Sequence, residues 1–522
     1  MDLNLIQNNL PQSWALIELK DLVENPKKDI VDGPFGSNLK ANEYTDSGIP
    51  VFKIQNIKAN QFINKNINYI KKEKAKELHR HSFKSGDLII TKLGDPLGLC
   101  CKVPDTYNYG IIVADLMRLR PSIERVFDKY VIHAINSFFI QNQFKAITKG
   151  TTRPRVNLTI VRNIKVPYPP LPEQHRIVAK IEELFSELDN GIENLKKARE
   201  QLKTYRQAVL KYAFEGRLTK EWRNVNNVYN NTYLIQLKFQ IEKFNKNKSG
   251  QDLPRRLPPI DLKKLKSLPF GWVWIEAHKT CQSIRDGTHD TPKYVKTGVP
   301  LITSKNLKNG KIDFSNIQFI SEKDHIEISK RSSVENGDIL FGMIGTIGNP
   351  VIISSNSSFS IKNVGLFKKN PELILPKYLK YWLDSSTLLK MLEDLQLIRG
   401  TTQKFISLGN LRVLPIPFSS TEEQRAIVSE IETRLSVCDK IEQTIEDSLK
   451  KAEALRQSIL KKAFAGELTR DWREKHPELI TGENSAEKLL EKIKAEKAHA
   501  CRQASLSAVG RKKARPRKTK KK

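Results

Sequence analysis

Apolar side chains between residues 181 and 212 recur with the spacing of a coiled coil. The first row recurs every seven residues and consists of Ile181, Leu188, Leu195, Leu202 and Val209. The second row, interrupted at Gly191, consists of Leu184, Ala198, Tyr205 and Tyr212. Because the pattern persists over about four heptads, it predicts a long helix that packs against a second helix.

A second long helix is predicted about 250 residues further along. Its seven-residue row consists of Ile431, Cys438, Ile445, Ala452 and Ile459. On its other row Ile441 and Leu455 fit the pattern, while Arg434 and Ser448 do not. Pro172 suits a first helical turn, Thr421 and Gln424 have the spacing of a capping box, and Gly216 and Gly466 suit helix ends. Each helix would span about 42 residues, or about 63 Å.

The spacing of 250 residues is that of an internal duplication. Residues 206–223 read RQAVLKYAFEGRLTKEWR and residues 456–473 read RQSILKKAFAGELTRDWR, without a gap. At the same offset Glu173-Gln174 matches Glu423-Gln424, Asn56 matches Asn306, and Gly-Thr-Thr at 150–152 returns at 400–402. The chain is therefore two copies of one unit.

Each copy begins with a globular part, at roughly 11–172 and 269–421. Apolar runs bounded by glycine and proline predict strands at Val51–Ile54, Asp87–Lys92 and Ile339–Ile344. Segments with a glycine-bearing turn open the two parts, at Ile30–Leu39 and Ile284–Tyr294. The predicted fold class is α+β, with two α/β domains separated by the two long helices.

Each long helix must bury its apolar stripe. We expect the two helices to form an intramolecular antiparallel coiled coil, which gives the chain pseudo-twofold symmetry; pairing of each helix with another subunit is the alternative. Duplex DNA is itself pseudo-twofold symmetric, and dimeric readers contact half-sites about 34–36 Å apart.

Charge favours a polyanionic partner. The chain has 89 Lys and Arg against 58 Asp and Glu, a formal net charge of +31, and phosphate binding gains from counterion release. The alternative is a basic protein without a nucleic-acid role. The five cysteines form no Cys-x-x-Cys pair, so neither disulfides nor a metal site are expected and the reducing cytoplasm fits best. We expect no secretory signal and no membrane span.

Candidate DNA contacts are Lys and Arg for guanine or phosphate and Asn and Gln for adenine. In the first copy they are Lys149, Thr151, Thr152, Arg153, Arg155 and Asn157, with Lys53, Gln55, Asn56 and Lys92 as weaker candidates. In the second copy they are Arg399, Thr401, Thr402, Gln403 and Lys404, with Lys305, Asn306 and Lys362 as weaker candidates. Turns with solvated charges are the alternative. His289 is expected to stabilise a turn. The basic tail 511–522 is expected to be a disordered arm that adds non-specific phosphate affinity, and a solvated tail without function is the alternative.

The sequence resembles the specificity subunits of type I restriction–modification enzymes. The resemblance rests on DGTHDTPKY (286–294), on PLPEQHRIVAKIEELF (170–185) with its counterpart at 420–432, and on the paired AFxGxLTxxWR ends. The first domain departs from it, because Asp32-Gly33-Pro34-Phe35 replaces the Gly-Thr-His form.

The resemblance implies a non-catalytic subunit of a prokaryotic defence complex that is both a DNA methyltransferase and an ATP-dependent endonuclease. It would bind double-stranded DNA, two modification subunits and, through these, restriction subunits; S-adenosylmethionine, ATP and Mg²⁺ would bind to the partners. The implied segments are target-recognition domain 1 at 1–172, a long-helix spacer and linker at 173–250, target-recognition domain 2 at 251–421, a second spacer at 422–503 and a basic tail at 504–522.

The sequence contains no Asn-Pro-Pro-aromatic methyltransferase motif and no G-x-x-x-x-G-K-[ST] phosphate loop. A self-sufficient nuclease or methyltransferase is therefore disfavoured. A coiled-coil scaffold that binds RNA or protein remains the alternative function.

Overall fold

The computed structural model describes residues 10–94, 97–148, 156–226, 228, 231–246, 257–354, 358–496 and 498. The chain forms two compact units, a first unit of residues 1–195 with 447–522 and a second unit of residues 196–446. The helices are α1 (Pro26–Asp29), α2 (Lys72–Glu77), α3 (Asp128–Ile135), α4 (Phe138–Ala146), α5 (Leu158–Val161), α6 (Leu171–Phe214), α7 (Lys220–Val225), α8 (Asn231–Lys246), α9 (Glu322–Ser332), α10 (Pro376–Leu383), α11 (Ser386–Asp394), α12 (Leu408–Arg412), α13 (Thr421–Phe464) and α14 (Arg470–Lys475). Residues 486–496 are also helical.

Two sheets build the globular part of the first unit. Its strands are β1 (Ala15–Glu18), β2 (Ile30–Asp32), β3 (Tyr44–Thr45), β4 (Ile49–Phe52), β5 (Ile57–Lys58), β6 (Gln61–Phe62), β7 (Asn68–Ile70), β8 (Ser82–Phe83), β9 (Leu88–Thr91), β10 (Cys100–Lys102), β11 (Gly110–Ile112), β12 (Leu116–Leu119) and β13 (Lys165–Tyr168). One sheet has the order β10-β9-β12-β2 and is antiparallel; the other has the order β3-β7-β4-β11-β8, in which β4 and β11 are parallel. Strands β1 and β13 form a separate ribbon.

The second unit repeats this arrangement. Its strands are β14 (Val273–Glu276), β15 (Ile284–Asp286), β16 (Val299–Ile302), β17 (Leu307–Lys308), β18 (Lys311–Ile312), β19 (Gln318–Ile320), β20 (Ile339–Gly342), β21 (Gly348–Ile352), β22 (Ser360–Ile361), β23 (Val364–Phe367), β24 (Ile398–Arg399), β25 (Phe405–Ile406) and β26 (Pro415–Phe418). The sheet order β15-β23-β20-β21 and the ribbon β14-β26 match their first-unit counterparts. The three-stranded order β19-β16-β22 matches β7-β4-β11 of the five-stranded sheet, including the parallel pair β16 and β22.

Predicted strands occur where expected but are shorter. The runs from residue 87 to 92 and from residue 339 to 344 contain β9 and β20, whose residues are all buried. The run from residue 51 to 54 overlaps β4, which ends at Phe52 because a 3-10 turn follows at Ile54–Asn56. Continuous apolar runs fit these strands because both of their faces are covered.

The two long helices pair within one chain, as predicted. Helices α6 and α13 are each 44 residues long. In the first unit Arg456, near the end of α13, forms an ion pair with Asp189 of α6. In the second unit Arg206, near the end of α6, forms ion pairs of 2.6 Å with Asp439 and 2.9 Å with Glu442 of α13. The start of each helix thus lies beside the end of the other, which is the antiparallel arrangement.

The seven-residue rows are the buried stripes of these helices. Ile181 and Val209 are buried, and Leu184, Leu188, Leu195 and Leu202 are half-buried. On α13 the buried row is Ile431, Cys438, Ile445, Ala452 and Ile459. Both rows therefore face protein along the length of each helix.

The prediction that Leu455 belongs to the seam is wrong. Its side chain is 50% exposed, and Tyr205, Tyr212 and Ile441 of the same rows are also exposed. Each residue turns an α-helix by about 100°, so Leu460 and Phe464 lie on the opposite flank of Ile459 from Leu455. That opposite flank enters the domain core, which leaves the Leu455 flank outside.

A buried carboxylate at the start of α6 ties the first unit together. Glu173 is 0% exposed and accepts hydrogen bonds from Trp14 Nε1 at 2.8 Å and from Thr469 Oγ1 at 2.7 Å. Arg473 donates to the same carboxylate and, at 2.8 Å, to the carbonyl of Gly466. A fully buried charge requires such partners.

The second unit contains the same cluster with the copies exchanged. Glu423, at the start of α13, is 0% exposed and accepts from Trp272 Nε1 at 2.8 Å, Thr219 Oγ1 at 2.8 Å and Arg223 Nη1 at 2.6 Å. Both copies therefore contain this glutamate and the segment Leu-Thr-x-x-Trp-Arg. In each unit the glutamate at the start of one long helix binds the segment that follows the end of the other long helix. We call these groups the helix-end clusters.

The repeated glutamine has a different role from the one predicted. Gln424 donates to the carbonyls of Leu373 and Ser419 and accepts from the Leu375 amide, all at 2.9 Å. The capping box from Thr421 to Gln424 is therefore wrong, because the glutamine anchors the domain to the helix. Ser420 caps α13 instead, since its Oγ accepts from the Glu423 amide at 3.2 Å.

The predicted helix ends are confirmed. Gly216 and Gly466 follow the long helices with φ of +69° and +75°, a conformation that favours glycine. Among the described residues no helix is long and apolar enough to cross a bilayer.

Candidate nucleic-acid interface

A cleft of about 370 Å³ with both apolar and polar lining residues opens in the first unit. Three turns line it: the turn after β2, the 3-10 turn Ile54–Asn56 after β4, and the turn between β11 and β12. Its lining residues are Pro34, Leu39, Tyr44, Lys53, Ile54, Gln55, Val113, Ala114 and Asp115. Because all three turns follow buried strands, the core of the unit fixes their positions.

A cleft of about 400 Å³ occupies the same place in the second unit. It is lined by the 3-10 turn Ser304–Asn306 after β16, by the turn between β22 and β23, and by Tyr294, which matches Tyr44 at the offset of 250. Its other polar lining residues are Thr303, Asn316, Gln318 and Gln403. The duplication has therefore preserved two equivalent clefts while changing what lines them.

Glycines allow the first turn of each cleft to pack closely. A Cβ at Gly33 would overlap the carbonyl of Val113, and a Cβ at Gly287 would overlap the carbonyl of Ile361. The Gly33 amide donates to the Leu116 carbonyl at 3.1 Å, and the Gly287 amide makes the equivalent bond. The glycine-bearing segments of the two units differ in sequence, but Gly33 and Gly287 thus occupy equivalent backbone positions.

The structure places several of the candidate DNA contacts in these clefts. Lys53, Gln55, Lys305, Asn306, Lys362 and Gln403 line them. Lys53 Nζ lies 4.3 Å from the centre of the Tyr44 ring, a cation–π contact. Burial raises the pKa of Tyr44, with a further contribution from Glu43, so the Tyr44 hydroxyl stays neutral.

Asn56 and Asn306 shape the turns, and Asn306 also lines the second cleft. Both are buried. Asn56 donates to the carbonyls of Ile63 and Lys65 at 3.0 Å and accepts from the Lys53 amide at 2.9 Å, and Asn306 accepts from the Thr303 amide at the same distance. Both N–H groups of the Asn56 amide donate within the turn, so we assign Asn56 to the turn conformation. Asn306 Nδ2 donates to the Asp313 carbonyl at 3.1 Å, and Asn306 also lines the second cleft.

Lys92 and Lys362 each have a side-chain partner, and of these two lysines only Lys362 lines a cleft. Lys92 Nζ lies 2.8 Å from Asp32 Oδ2 and is half-buried, and Lys362 donates to Thr291 Oγ1. An ammonium that already neutralises a carboxylate gains less from a phosphate, so Lys92 contributes less charge to the cleft than Lys53 or Lys305.

A hairpin at the mouth of the second cleft carries the strongest candidates of the second copy. Strands β24 and β25 flank an exposed loop that begins at Gly400, where φ is +91°. The Lys404 carbonyl accepts from the Gly345 amide at 2.9 Å, which fixes the hairpin against the neighbouring turn. The exposed residues of this hairpin are Arg399, Thr401, Thr402, Gln403 and Lys404.

Within the described residues, Arg399 and Gln403 have no side-chain partner, whereas Lys404 Nζ pairs with Glu393 at 2.7 Å. Both members of that ion pair are more than half exposed, so it contributes only about 0–1 kcal/mol.

The matching segment of the first copy is only partly described. Lys149, Thr151, Thr152, Arg153 and Arg155 lie outside the described residues. Val156, which follows them, donates to the Lys92 carbonyl at 3.3 Å, as Ile406 donates to Met343 at 2.9 Å. Asn157 is exposed and caps α5 by accepting from the Thr159 amide at 2.7 Å.

Comparison with known proteins decides the family. Residues 11–197 and 292–451, more than half of the chain, match the family described as "Type I restriction modification DNA specificity domain". The chain belongs to this family. It is a DNA-sequence-specificity subunit.

Relatives of the specificity subunit cover most of its length. The type I restriction enzyme EcoBI specificity subunit of Escherichia coli is 29% identical over 79% of this chain and 80% of the relative. The EcoKI specificity subunit of Escherichia coli strain K12 is 25% identical over 94% and 96%. A solved structure described as "Structural basis underlying complex assembly and conformational transition of the type I R-M system" matches with a TM-score of 0.56 at 19% identity, over 88% of this chain and 99% of that chain; it supports the fold.

Sequence reasoning missed several lining residues of the specificity subunit. They are Tyr44, Asp115, Tyr294, Asn316, Gln318 and Asn363. Asp115 and Asn363 each directly precede the strand that leaves the cleft, β12 or β23. Among the described residues the Asp115 carboxylate has no partner, so it can accept from a base amine. The pairing of Tyr44 with Tyr294 at the 250 offset was the sequence signal that could have identified this position.

His289 stabilises its turn in the specificity subunit, as predicted. Its Nε2 lies 2.9 Å from Asp286 Oδ2 and its Nδ1 3.1 Å from Asn363 Oδ1. The described residues contain no cluster of three or more His, Cys, Asp or Glu side chains that could hold a metal ion.

Proposed function

We propose that the chain reads an asymmetric, two-part duplex DNA site, with each cleft contacting one half. The observation that carries this proposal is the pair of clefts at matched positions with different linings. The first offers Lys53, Gln55 and Asp115; the second offers Lys305 and Gln403 among several amides. Different donors and acceptors select different base edges, so the two halves differ in sequence.

The long helices set the gap between the two half-sites. Each is 44 residues long, or about 66 Å at 1.5 Å per residue. A paired, continuous helix is stiff, so the gap has a fixed length. We therefore expect one gap length and no tolerance for added base pairs.

The same helices bind two modification subunits, and restriction subunits join through these. Apolar side chains exposed on the helices support this part of the proposal; they are Tyr205, Tyr212, Val437, Ile441 and Leu455. The methyl transfer from S-adenosylmethionine and the ATP- and Mg²⁺-dependent steps belong to the partners, and this chain is not catalytic. The missing methyltransferase and phosphate-loop motifs agree with this division.

The test uses cells that express the whole system. Mapping every methylated position should give a two-part motif with one fixed gap. The purified complex with Gln403→Ala should then bind its own site about 5–150-fold more weakly, equivalent to about 1–3 kcal/mol for a lost base contact, and should bind unrelated duplex unchanged. Equal weakening on both duplexes would assign Gln403 to phosphate.

Lys404→Ala on the same hairpin is the comparison variant: its exposed ammonium should contact phosphate and not a base, so this variant should weaken binding to both duplexes equally. The absence of any two-part motif, or stronger competition by RNA than by the specific duplex at physiological salt, would favour the scaffold function instead.

A further inference from the structure

Phe35 is an exposed aromatic residue in the loop that joins Pro34 to Leu39, two residues that line the first cleft. Its side chain is 76% exposed. The chain lines the cleft at Pro34, leaves it at Phe35, and lines it again at Leu39. Phe35 therefore lies in sequence between two residues of the cleft wall.

The loop that carries Phe35 is held in place. Gly33 packs against the Val113 carbonyl too closely for any Cβ, and proline fixes φ at the buried Pro34. The Asn38 amide donates to the Phe35 carbonyl at 2.8 Å and closes the 3-10 turn Gly36–Asn38. A fixed loop presents the ring to solvent at little further entropic cost on binding.

The polar groups of the cleft leave one base feature unmatched. Lys53, Gln55 and Asp115 can serve the donors and acceptors of a base edge in the major groove. The remaining feature that distinguishes bases in that groove is the C5 methyl of thymine, which is recognised by apolar contact. Leu39, Ile54 and Val113 give the cleft lining apolar groups, and the exposed aromatic ring of Phe35 in the adjoining loop has the same chemistry for that contact.

We propose that Phe35 is a specificity-determining residue that packs against a thymine methyl in the half-site read by the first domain. This inference rests on the proposed function of the cleft. The exposed ring and the methyl are both hydrated before binding, and their contact removes both surfaces from water.

The second unit provides an internal contrast. Gly33 and Gly287 make equivalent backbone bonds, and two residues after each stand Phe35 and His289. His289 is 61% exposed and lies within hydrogen-bond distance of Asp286 and Asn363. Its ring is polar and already engaged, so the second half-site has no equivalent methyl contact from this position.

The experiment replaces single thymines by deoxyuridine, which lacks the C5 methyl, in the site defined by methylation mapping. At one thymine of the first half, the complex should bind roughly fourfold more weakly, the effect of about one buried methyl group. With Phe35→Ala the thymine and deoxyuridine duplexes should bind equally, at the weaker level. The control Ile123→Ala removes another exposed apolar side chain, 83% exposed and outside the cleft lining, and should keep the wild-type discrimination.

Three results would overturn the inference: a first half without thymine on either strand, unchanged discrimination in Phe35→Ala, or a loss in Phe35→Ala that is the same size on both duplexes. The last would indicate stacking between bases. Each of these leaves the two-part motif intact, whereas failure of the proposed function removes the motif itself. Because Phe35 is exposed, Phe35→Ala should melt at the wild-type temperature.

Discussion

Removal of Arg473 should expose the energetic role of the helix-end cluster in the first unit. In Arg473→Met, Glu173 keeps its bonds from Trp14 Nε1 and Thr469 Oγ1 but loses the opposite charge. The carboxylate is 0% exposed, so water cannot replace the guanidinium. A buried charge left without its partner costs about 3–5 kcal/mol.

A second substitution separates the charge from the packing. Adding Glu173→Gln to Arg473→Met removes the uncompensated charge while keeping an acceptor for Trp14 and Thr469. The double variant should therefore be more stable than Arg473→Met alone. Arg434→Met is the surface control, because Arg434 is 43% exposed and its nitrogen lies 3.4 Å from Glu430, and it should cost only about 0–1 kcal/mol.

Hydrogen exchange resolved by peptide is the suitable assay, since it reports on each unit separately. Arg473→Met should lower the opening free energy of amides in 171–195 and 447–464 by about 3–5 kcal/mol. Arg223→Met should do the same for 196–214 and 421–446, because Arg223 pairs with Glu423 at 2.6 Å. A cost below about 1 kcal/mol for Arg473→Met, or a double variant less stable than the single one, would refute the reasoning.

Two further predictions concern stability. Burial lowers the pKa of His133 to about 4, so the unfolded chain binds the proton more tightly than the folded chain. The contribution of neutral His133 to the free energy of unfolding is therefore full above about pH 6.5 and is lost as the pH falls towards 4. Denaturation should show a loss of about 2 kcal/mol from pH 7 to 5 that is absent in His133→Leu, and an equal loss in that variant would contradict the assignment. Gly191 lies within α6, and a Cβ added there would meet no atom within 4 Å. Gly191→Ala should therefore raise the free energy of unfolding by about 0.5–1 kcal/mol in the same denaturation measurement. A variant that is less stable than the wild type would contradict the open space at this position.

Periodicity predicted the long helices because a repeated apolar row is a local signal. It could not predict which flank of each row is buried. Leu455 has the right spacing but is exposed, because the domain core covers the flank that carries Leu460 and Phe464. That choice depends on tertiary packing, which a heptad pattern does not contain.

The internal repeat predicts which positions are important but not which residues they contact. Glu173 and Arg473 were visible as repeated letters, but their pairing joins one copy to the other across 300 residues. Gln424 matched a capping motif, yet its amide binds the domain backbone. Local motifs therefore identify residues that form important contacts here, but they do not identify the residues that those contacts involve.

Composition found part of the candidate interface. Lys53, Lys305 and Gln403 are predicted as DNA contacts because cations and amides bind phosphates and base edges, and they line the clefts. The same rule predicts Asn56, which is buried with its amide bonded within the turn. Asp115 was missed because an acid is not expected where DNA binds, and only the fold brings it into the cleft.

The most direct test of the central claim is an exchange of residues 1–172 for the corresponding domain of another specificity subunit, followed by mapping of methylated sites in cells. We predict that one half of the two-part motif changes while the other half and the gap stay the same. A change in both halves, or a change in neither, would contradict the claim.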